Sequence, residues 1–171
     1  GAPVLVNADG TVSLAGTQSS AVGASVNLTS GGSKTSYTSV AYDSNSNRYL
    51  IAFVDEGNSD YGTAVVASVS GTTVTLGTPA VFENAETNDF GIAFDSNANK
   101  FLIVYRDNGN SNYGTGVVAT IDNSDNSVSF GTPAVFESAT AQYMGIDFDS
   151  NANKFVFAYR DSGNSGFFFF F

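Results

Sequence analysis

Large and small residues alternate through Phe90-Gly91-Ile92-Ala93-Phe94, the period-two rhythm of a half-buried strand. The polar stretch Asp95-Ser96-Asn97-Ala98-Asn99 follows and predicts a turn. Lys100 to Arg106 is then a nearly unbroken apolar run of strand length, the pattern of a strand buried on both faces. Asp107-Asn108-Gly109-Asn110-Ser111-Asn112 reads as a polar loop. Tyr113 to Ile121 is a third strand, in which Gly114 and Gly116 permit close approach of neighbouring backbone. After a turn at Asp122 to Asn126, Ser127 to Phe136 is a fourth strand. Gly131-Thr132-Pro133 interrupts it, which suits an edge or a bulge because proline cannot donate to a ladder.

The pattern recurs. Tyr42-Asp43-Ser44-Asn45, Phe94-Asp95-Ser96-Asn97 and Phe148-Asp149-Ser150-Asn151 open three copies, spaced 52 and then 54 residues apart. The first copy repeats the plan at Thr38–Tyr42, Arg48–Asp55, Tyr61–Ser70 and Thr73–Phe82. Its shorter period falls in one turn, where Ser70-Gly71-Thr72 stands for the longer Asp122 to Asn126. The chain therefore divides into residues 1–34, an N-terminal hairpin and an orphan strand; 35–89, repeat one; 90–143, repeat two; and 144–171, a partial repeat three. Four antiparallel strands per ~53 residues make the unit of a β-propeller blade. The fold class is all-β, with four-stranded antiparallel blade repeats in a β-propeller-like arrangement; a stacked β-sheet fibre or solenoid is the alternative.

At the N-terminus, Val4–Val6 and Thr11–Leu14 flank Asn7-Ala8-Asp9-Gly10, a hairpin signal. Val22-Gly23-Ala24-Ser25-Val26-Asn27-Leu28 resembles Phe130-Gly131-Thr132-Pro133-Ala134-Val135-Phe136 and reads as a fourth strand without its own blade, fit to close a ring. The third copy breaks off. Five consecutive phenylalanines, Phe167 to Phe171, stand where Tyr-Gly-Thr-Gly-Val is expected, and they read as a placeholder or scar rather than a membrane or partner anchor. The chain begins Gly1-Ala2-Pro3 without Met, consistent with a removed leader or a longer product, and reads as a piece of a larger assembly.

Composition narrows function. The net charge of −10 argues against nucleic-acid binding and against attachment to anionic membranes. With no Cys and no His, disulfides, thiolate catalysis, the usual zinc sites and Ser-His-Asp triads are excluded within the chain. No apolar run is long enough to span a bilayer.

Two sets of polar residues are candidates for chemistry. Asp43, Asn45 and Asn47, with Asp95, Asn97 and Asn99, superficially match the start of a calcium loop. A calcium loop needs Gly at position six and Glu at twelve, and here those positions carry Arg48 and Val54, or Lys100 and Arg106. The preferred reading is an Asx-type turn, with Ca²⁺ as the alternative and no other cofactor expected. The second set is Asn58, Tyr61, Asn110, Tyr113 and Asn164 in the loops from Asp55, Asp107 and Asp161. These would share one end of the sheet with blade-to-blade loops at Glu83–Asn88 and Glu137–Gln142. Planar hydrogen-bonding groups beside an aromatic ring suit a sugar, and one site per blade would give avidity. A paired-carboxylate glycosidase is the remote third reading, because every candidate Asp lies inside the repeat. Asn27-Leu28-Thr29 fits an N-glycosylation acceptor, a pattern common by chance.

The tandem Asp-Ser-Asn-X-Asn-Lys, Tyr-Arg-Asp-X-Gly-Asn-Ser-X-Tyr-Gly-Thr and Phe-Gly-Thr-Pro-Ala-Val-Phe-Glu strings resemble repeats in large phage tail-fibre, virion-surface and bacterial extracellular proteins. The resemblance covers roughly residues 35–165 and carries no established site. It implies a structural or adhesive protein at an extracellular or virion surface, not an enzyme. Its partners would be other copies of itself or other virion or fibre proteins, and a cell-surface glycan, without nucleic acid or membrane insertion. A carbohydrate-binding propeller lectin is the alternative.

Overall fold

The protein is described from a computed structural model covering residues 4–6, 9, 11–14, 23–29 and 31–170, with side chains for all but 4–6, 12–14 and 164–170. The chain is all-β. A hairpin of β1 (Val4–Val6) and β2 (Val12–Leu14) forms where Asp9 accepts from the backbone N–H and the hydroxyl of Thr11. The remaining strands form one curled antiparallel sheet of eleven strands. These are β3 (Thr35–Asp43), β4 (Arg48–Asp55), β5 (Tyr61–Ser70), β6 (Thr73–Leu76), β7 (Ala80–Asp95), β8 (Lys100–Asp107), β9 (Tyr113–Asp122), β10 (Ser127–Phe130), β11 (Ala134–Asp149), β12 (Lys154–Asp161) and β13 (Asn164–Phe170).

The sheet is continuous because two strands cross from one repeat to the next. The first half of β7 pairs with β5 and its second half with β8; β11 does the same between β9 and β12. The expected blade-to-blade loops at Glu83–Asn88 and Glu137–Gln142 are therefore strand. Register shifts between Asn88 and Gly91 and between Gln142 and Gly145 bend each strand there. Asp89 and Tyr143 take positive φ at these bulges, and Tyr37 does so at the same place in β3. The fourth strand of each repeat is split at its Gly-Thr-Pro, as expected, into β6 with the start of β7 and β10 with the start of β11.

Successive repeats pack face to face, and β8 lies between two cores. Phe101, Ile103 and Tyr105 face repeat one and pack with Leu50, Ala52, Ala64, Val66 and Phe82. Leu102 and Val104, from the other face of the same strand, pack with Phe157 and Tyr159 of repeat three. The apolar run Lys100–Arg106 is thus explained: both faces are interior. Each fully buried aliphatic or aromatic side chain contributes roughly 1.5–3 kcal/mol.

One expected strand is not formed. Of Val22–Leu28, Val22 lies outside the described residues and 23–28 belong to no strand. Gly23 instead abuts the Thr72 carbonyl in the turn between β5 and β6, and further along the chain Ser33 Oγ donates to Asp55 and Glu56 N–H donates to the Lys34 carbonyl.

Two glycines make the packing possible. A Cβ on Gly62 would lie 2.6 Å from Cε2 of Phe82, and one on Gly114 2.5 Å from Cε2 of Phe136. Gly62→Ala is expected to lower stability by about 1–3 kcal/mol through overpacking, measured by urea unfolding. A loss below a few tenths would mean that Phe82 swings aside freely.

Candidate functional site

The Asp-Ser-Asn-X-Asn turns stand in a row at one end of the sheet. Asp43 accepts from the N–H groups of Asn45 (2.8 Å) and Ser46 (3.0 Å). Asp95 accepts from Asn97 and Ala98 (2.8 and 2.9 Å), and Asp149 from Asn151 and Ala152 (2.9 and 3.0 Å). Asn47, Asn99 and Asn153 supply the left-handed residue, at φ 56°, 55° and 55°. These are Asx turns, and Asp43 and Asp95 are buried in serving them.

The remaining amides join the turns to one another. Asn45 Nδ2 donates to the Ser96 carbonyl (2.8 Å) and to Asn99 Oδ1. One repeat on, Asn97 Nδ2 donates to Asn153 Oδ1 at 2.8 Å and reaches the Ser150 carbonyl at 3.5 Å. Asn45, Asn97, Asn99 and Asn153 thus form a ladder across three repeats. In repeat one the Asn47 amide oxygen accepts from the Tyr42 hydroxyl at 3.0 Å. Among the described residues no group of three or more His, Cys, Asp or Glu side chains could hold a metal ion.

The second set lies at the opposite end. Asn58 and Asn110 are exposed; Tyr61 and Tyr113 are half-buried at the starts of β5 and β9. Asn58 and Tyr61 share a tight turn, in which the Asn58 carbonyl accepts from Tyr61 N–H at 3.1 Å. Asn110 ends a 3₁₀ turn, and its N–H donates to Asp107 at 3.0 Å. Asn164 is not in a loop: it opens β13 opposite Asp161 across a two-residue turn, and its side chain lies outside the described set. The turns do share an end with the crossing strands, since Thr87 N–H donates to the Asp60 carbonyl and Asn108 Nδ2 to Glu86. The two Asn–Tyr pairs remain in separate loops.

The carboxylates that open these loops are engaged in the turns themselves. Asp55 accepts from Gly57 N–H and Asp107 from Asn110 N–H, each at 3.0 Å. Burial holds the Asp107 carboxyl above its ordinary range, against the pull of the Asn110 and Gly109 N–H groups.

Sequence reasoning missed the positions that break the repeat. Asp89 pairs with Arg106 at 3.2 Å, both largely shielded, and accepts from Tyr143 N–H at 3.4 Å. Arg106 Nε also donates to Asn108 Oδ1 at 3.0 Å. The corresponding pairs are Tyr37 with Val54 and Tyr143 with Arg160; in the latter the guanidinium lies 5.9 Å from the ring centroid. Tyr37 and Tyr143 are 53 % and 70 % exposed, the only aromatic rings of this end that stand mostly in solvent among the described residues. A second pair varies together. Tyr105 and Tyr159 donate to Glu83 and Glu137 at 2.9 and 2.8 Å, and burial beside those carboxylates pushes both phenols up. In repeat one Phe53 replaces the tyrosine and Thr29 the glutamate. Comparing residues at equal repeat positions, rather than seeking motifs, would have found both.

An apolar cavity of about 330 Å³ lies between repeats two and three, lined by Leu102, Val104, Val118, Ala134, Phe136 and Phe155 among others. Among the described residues no helix is long and apolar enough to cross a membrane. No protein-family model matches the chain, and no curated protein matches it.

The Asp107 environment has a pH consequence. A carboxyl raised in the folded state adds stability below its unfolded value, and that stability is lost as pH rises through the folded value. Asp107→Asn keeps an oxygen for the turn N–H groups and removes the charge. The variant is expected to match or exceed the parent's melting temperature at neutral pH, with the gap closing as pH falls below the ordinary Asp range. Thermal melts across pH check this, and a variant less stable at every pH would show that the charge itself holds the turn.

Proposed function

We propose that this chain is a structural and adhesive β-repeat protein of an extracellular or virion surface, β-propeller-like in its four-stranded units. It works through assembly and attachment, with further copies of itself or other fibre proteins as partners. One observation carries the reading: the polar residues that repeat most faithfully join one repeat to the next. Asn45 and Asn97 reach across to the following turn, and Asp43, Asp95 and Asp149 shape the turns that they reach. A side chain held this way is withdrawn from chemistry, and the buried faces of β8 need neighbours on both sides. Antibody labelling of intact virions or cells of the source is expected to decorate the surface. Label appearing only after lysis would reject the placement.

Carbohydrate binding is the second reading. It is favoured by the end where Asn58, Tyr61, Asn110 and Tyr113 lie with the exposed rings of Tyr37 and Tyr143. Base-flat sugar faces stack on such rings while amides take hydroxyls. On a broad glycan array the parent chain is expected to give signals that Tyr143→Ala lowers tenfold or more; an array with no signal for the parent would reject this reading.

A further inference from the structure

Arg106 and Arg160 hold the same position in repeats two and three, yet only Arg106 has its charge answered. Arg106 pairs with Asp89 at 3.2 Å and donates from Nε to Asn108 at 3.0 Å, and Asn108 in turn donates to Glu86 at 2.7 Å. At the positions of Asp89, Asn108 and Glu86, repeat three carries Tyr143, Ser162 and Thr140. Both carboxylates are lost together while the arginine is kept. Two acids that repeat three does place at this end are engaged elsewhere. Glu137 accepts from the Tyr159 hydroxyl at 2.8 Å, and Asp161 accepts from Gly163 N–H at 3.0 Å. Exposed Arg160 forms no ion pair among the described residues and lies instead 5.9 Å from the centroid of the Tyr143 ring.

This difference is written in the residues of repeat three and does not come from its place in the chain. The groups that answer Arg106 come from β7 and from the loop after β8, and none comes from repeat three. A following repeat is therefore not what neutralises an arginine at this position. Nor does a following repeat cover the ring. Tyr37 is 53 % exposed although repeat two follows it, against 70 % for Tyr143.

We propose that Tyr143 and Arg160 form a binding site for an acidic sugar. The ring takes the apolar face of the sugar, and the guanidinium takes its carboxylate or sulfate. The site rests on the carbohydrate-binding reading of this end of the sheet and adds the charge of the ligand. A guanidinium is a planar fork whose parallel N–H donors match an oxyanion, and a tyrosine ring offers a flat apolar surface beside a polar tip. The two groups are close enough for one monosaccharide to meet both. Gln142, directly opposite Arg160 in the β11–β12 pairing, adds an amide suited to sugar hydroxyls. Repeat two is unfit for the same ligand, because Asp89 already holds Arg106 and would repel a second acid. The chain's net charge of −10 opposes an anionic ligand at long range, so recognition depends on the local cation.

A glycan array scored separately for neutral, carboxylated and sulfated glycans tests the assignment. Acidic glycans are expected to bind the parent chain, with neutral analogues at least about tenfold weaker, as the loss of a charged hydrogen-bonded pair dictates. The carboxylated and sulfated arms tell which oxyanion is taken. Arg160→Gln is expected to lower acidic binding by about tenfold or more and to leave the melting temperature unchanged, because the side chain is exposed. Tyr143→Asp restores the residue of repeat two, where Asp89 already adopts the same backbone at φ 54°. That variant is expected to fold, to pair with Arg160 and to abolish acidic binding. Neutral glycans bound as well as acidic ones, or acidic binding that either variant leaves unchanged, overturns the acidic site and leaves the carbohydrate reading standing. An array silent for the parent chain overturns both.

Discussion

A strand apolar on both faces cannot be stable at a surface. β8 carries Phe101, Ile103 and Tyr105 toward one side and Leu102 and Val104 toward the other. A sheet built from it must be covered twice, and the cover available in this chain is the sheet of the adjacent repeat. Face-to-face stacking of repeats is therefore what the rest of the architecture answers to. It sets the need for glycine at 62 and 114, where the phenylalanine of the crossing strand lies against the backbone. It also sets the bulges at Tyr37, Asp89 and Tyr143, which let one strand leave a sheet and enter the next.

Stacking leaves polar groups at the sheet ends close to their copies in the next repeat, and the chain uses that proximity. Asn45 and Asn97 are placed so that an amide in one turn meets a carbonyl in the following one. A register slip between repeats would break these bonds as well as misplace the apolar faces, so the ladder reinforces the alignment that burial prefers. The variable positions obey the same logic. A buried tyrosine hydroxyl needs an acceptor, so Tyr105 and Tyr159 come with Glu83 and Glu137, and Phe53 comes without one.

The strands were legible because each carries its own local signal. Alternation marked the second half of β7, a continuous apolar run marked β8, and Asp-Ser-Asn-X-Asn marked the turn between them. What could not be read was the passage between repeats. Glu83–Asn88 and Glu137–Gln142 are polar and look like loops, yet they pair on one side with β5 or β9 and lie in strands that continue unbroken. Their outer face is exposed, so polarity there reports solvent rather than irregular backbone. The candidate site was legible in part. The Asx turns followed from Asp and Asn spacing, but the Asn ladder needed knowledge of which turns become neighbours. Asp89 with Arg106 was hidden for the same reason, since nothing local joins residues at the two ends of a hairpin.

Symmetry between repeats gives a rule for separating scaffold from function here. A residue kept at every copy serves the stack, because each copy faces the same neighbours; Asp43, Asp95 and Asp149 are of this kind. A residue that differs between copies has been released from that duty or given a local partner. Arg106 has such a partner in Asp89, and its charge is internally answered. Tyr143 does not fit either case so neatly. It is held at positive φ, with its ring 70 % exposed and an arginine beside it, at a position filled by Asp89 one repeat earlier. A large aromatic side chain in that conformation is disfavoured unless the surrounding structure imposes it. The bulge imposes the backbone, but burial does not account for the ring. That leaves the exposed ring on the bulge row, at the sheet end opposite the ladder, where a change in its side chain would not disturb the stacking that the ladder aligns.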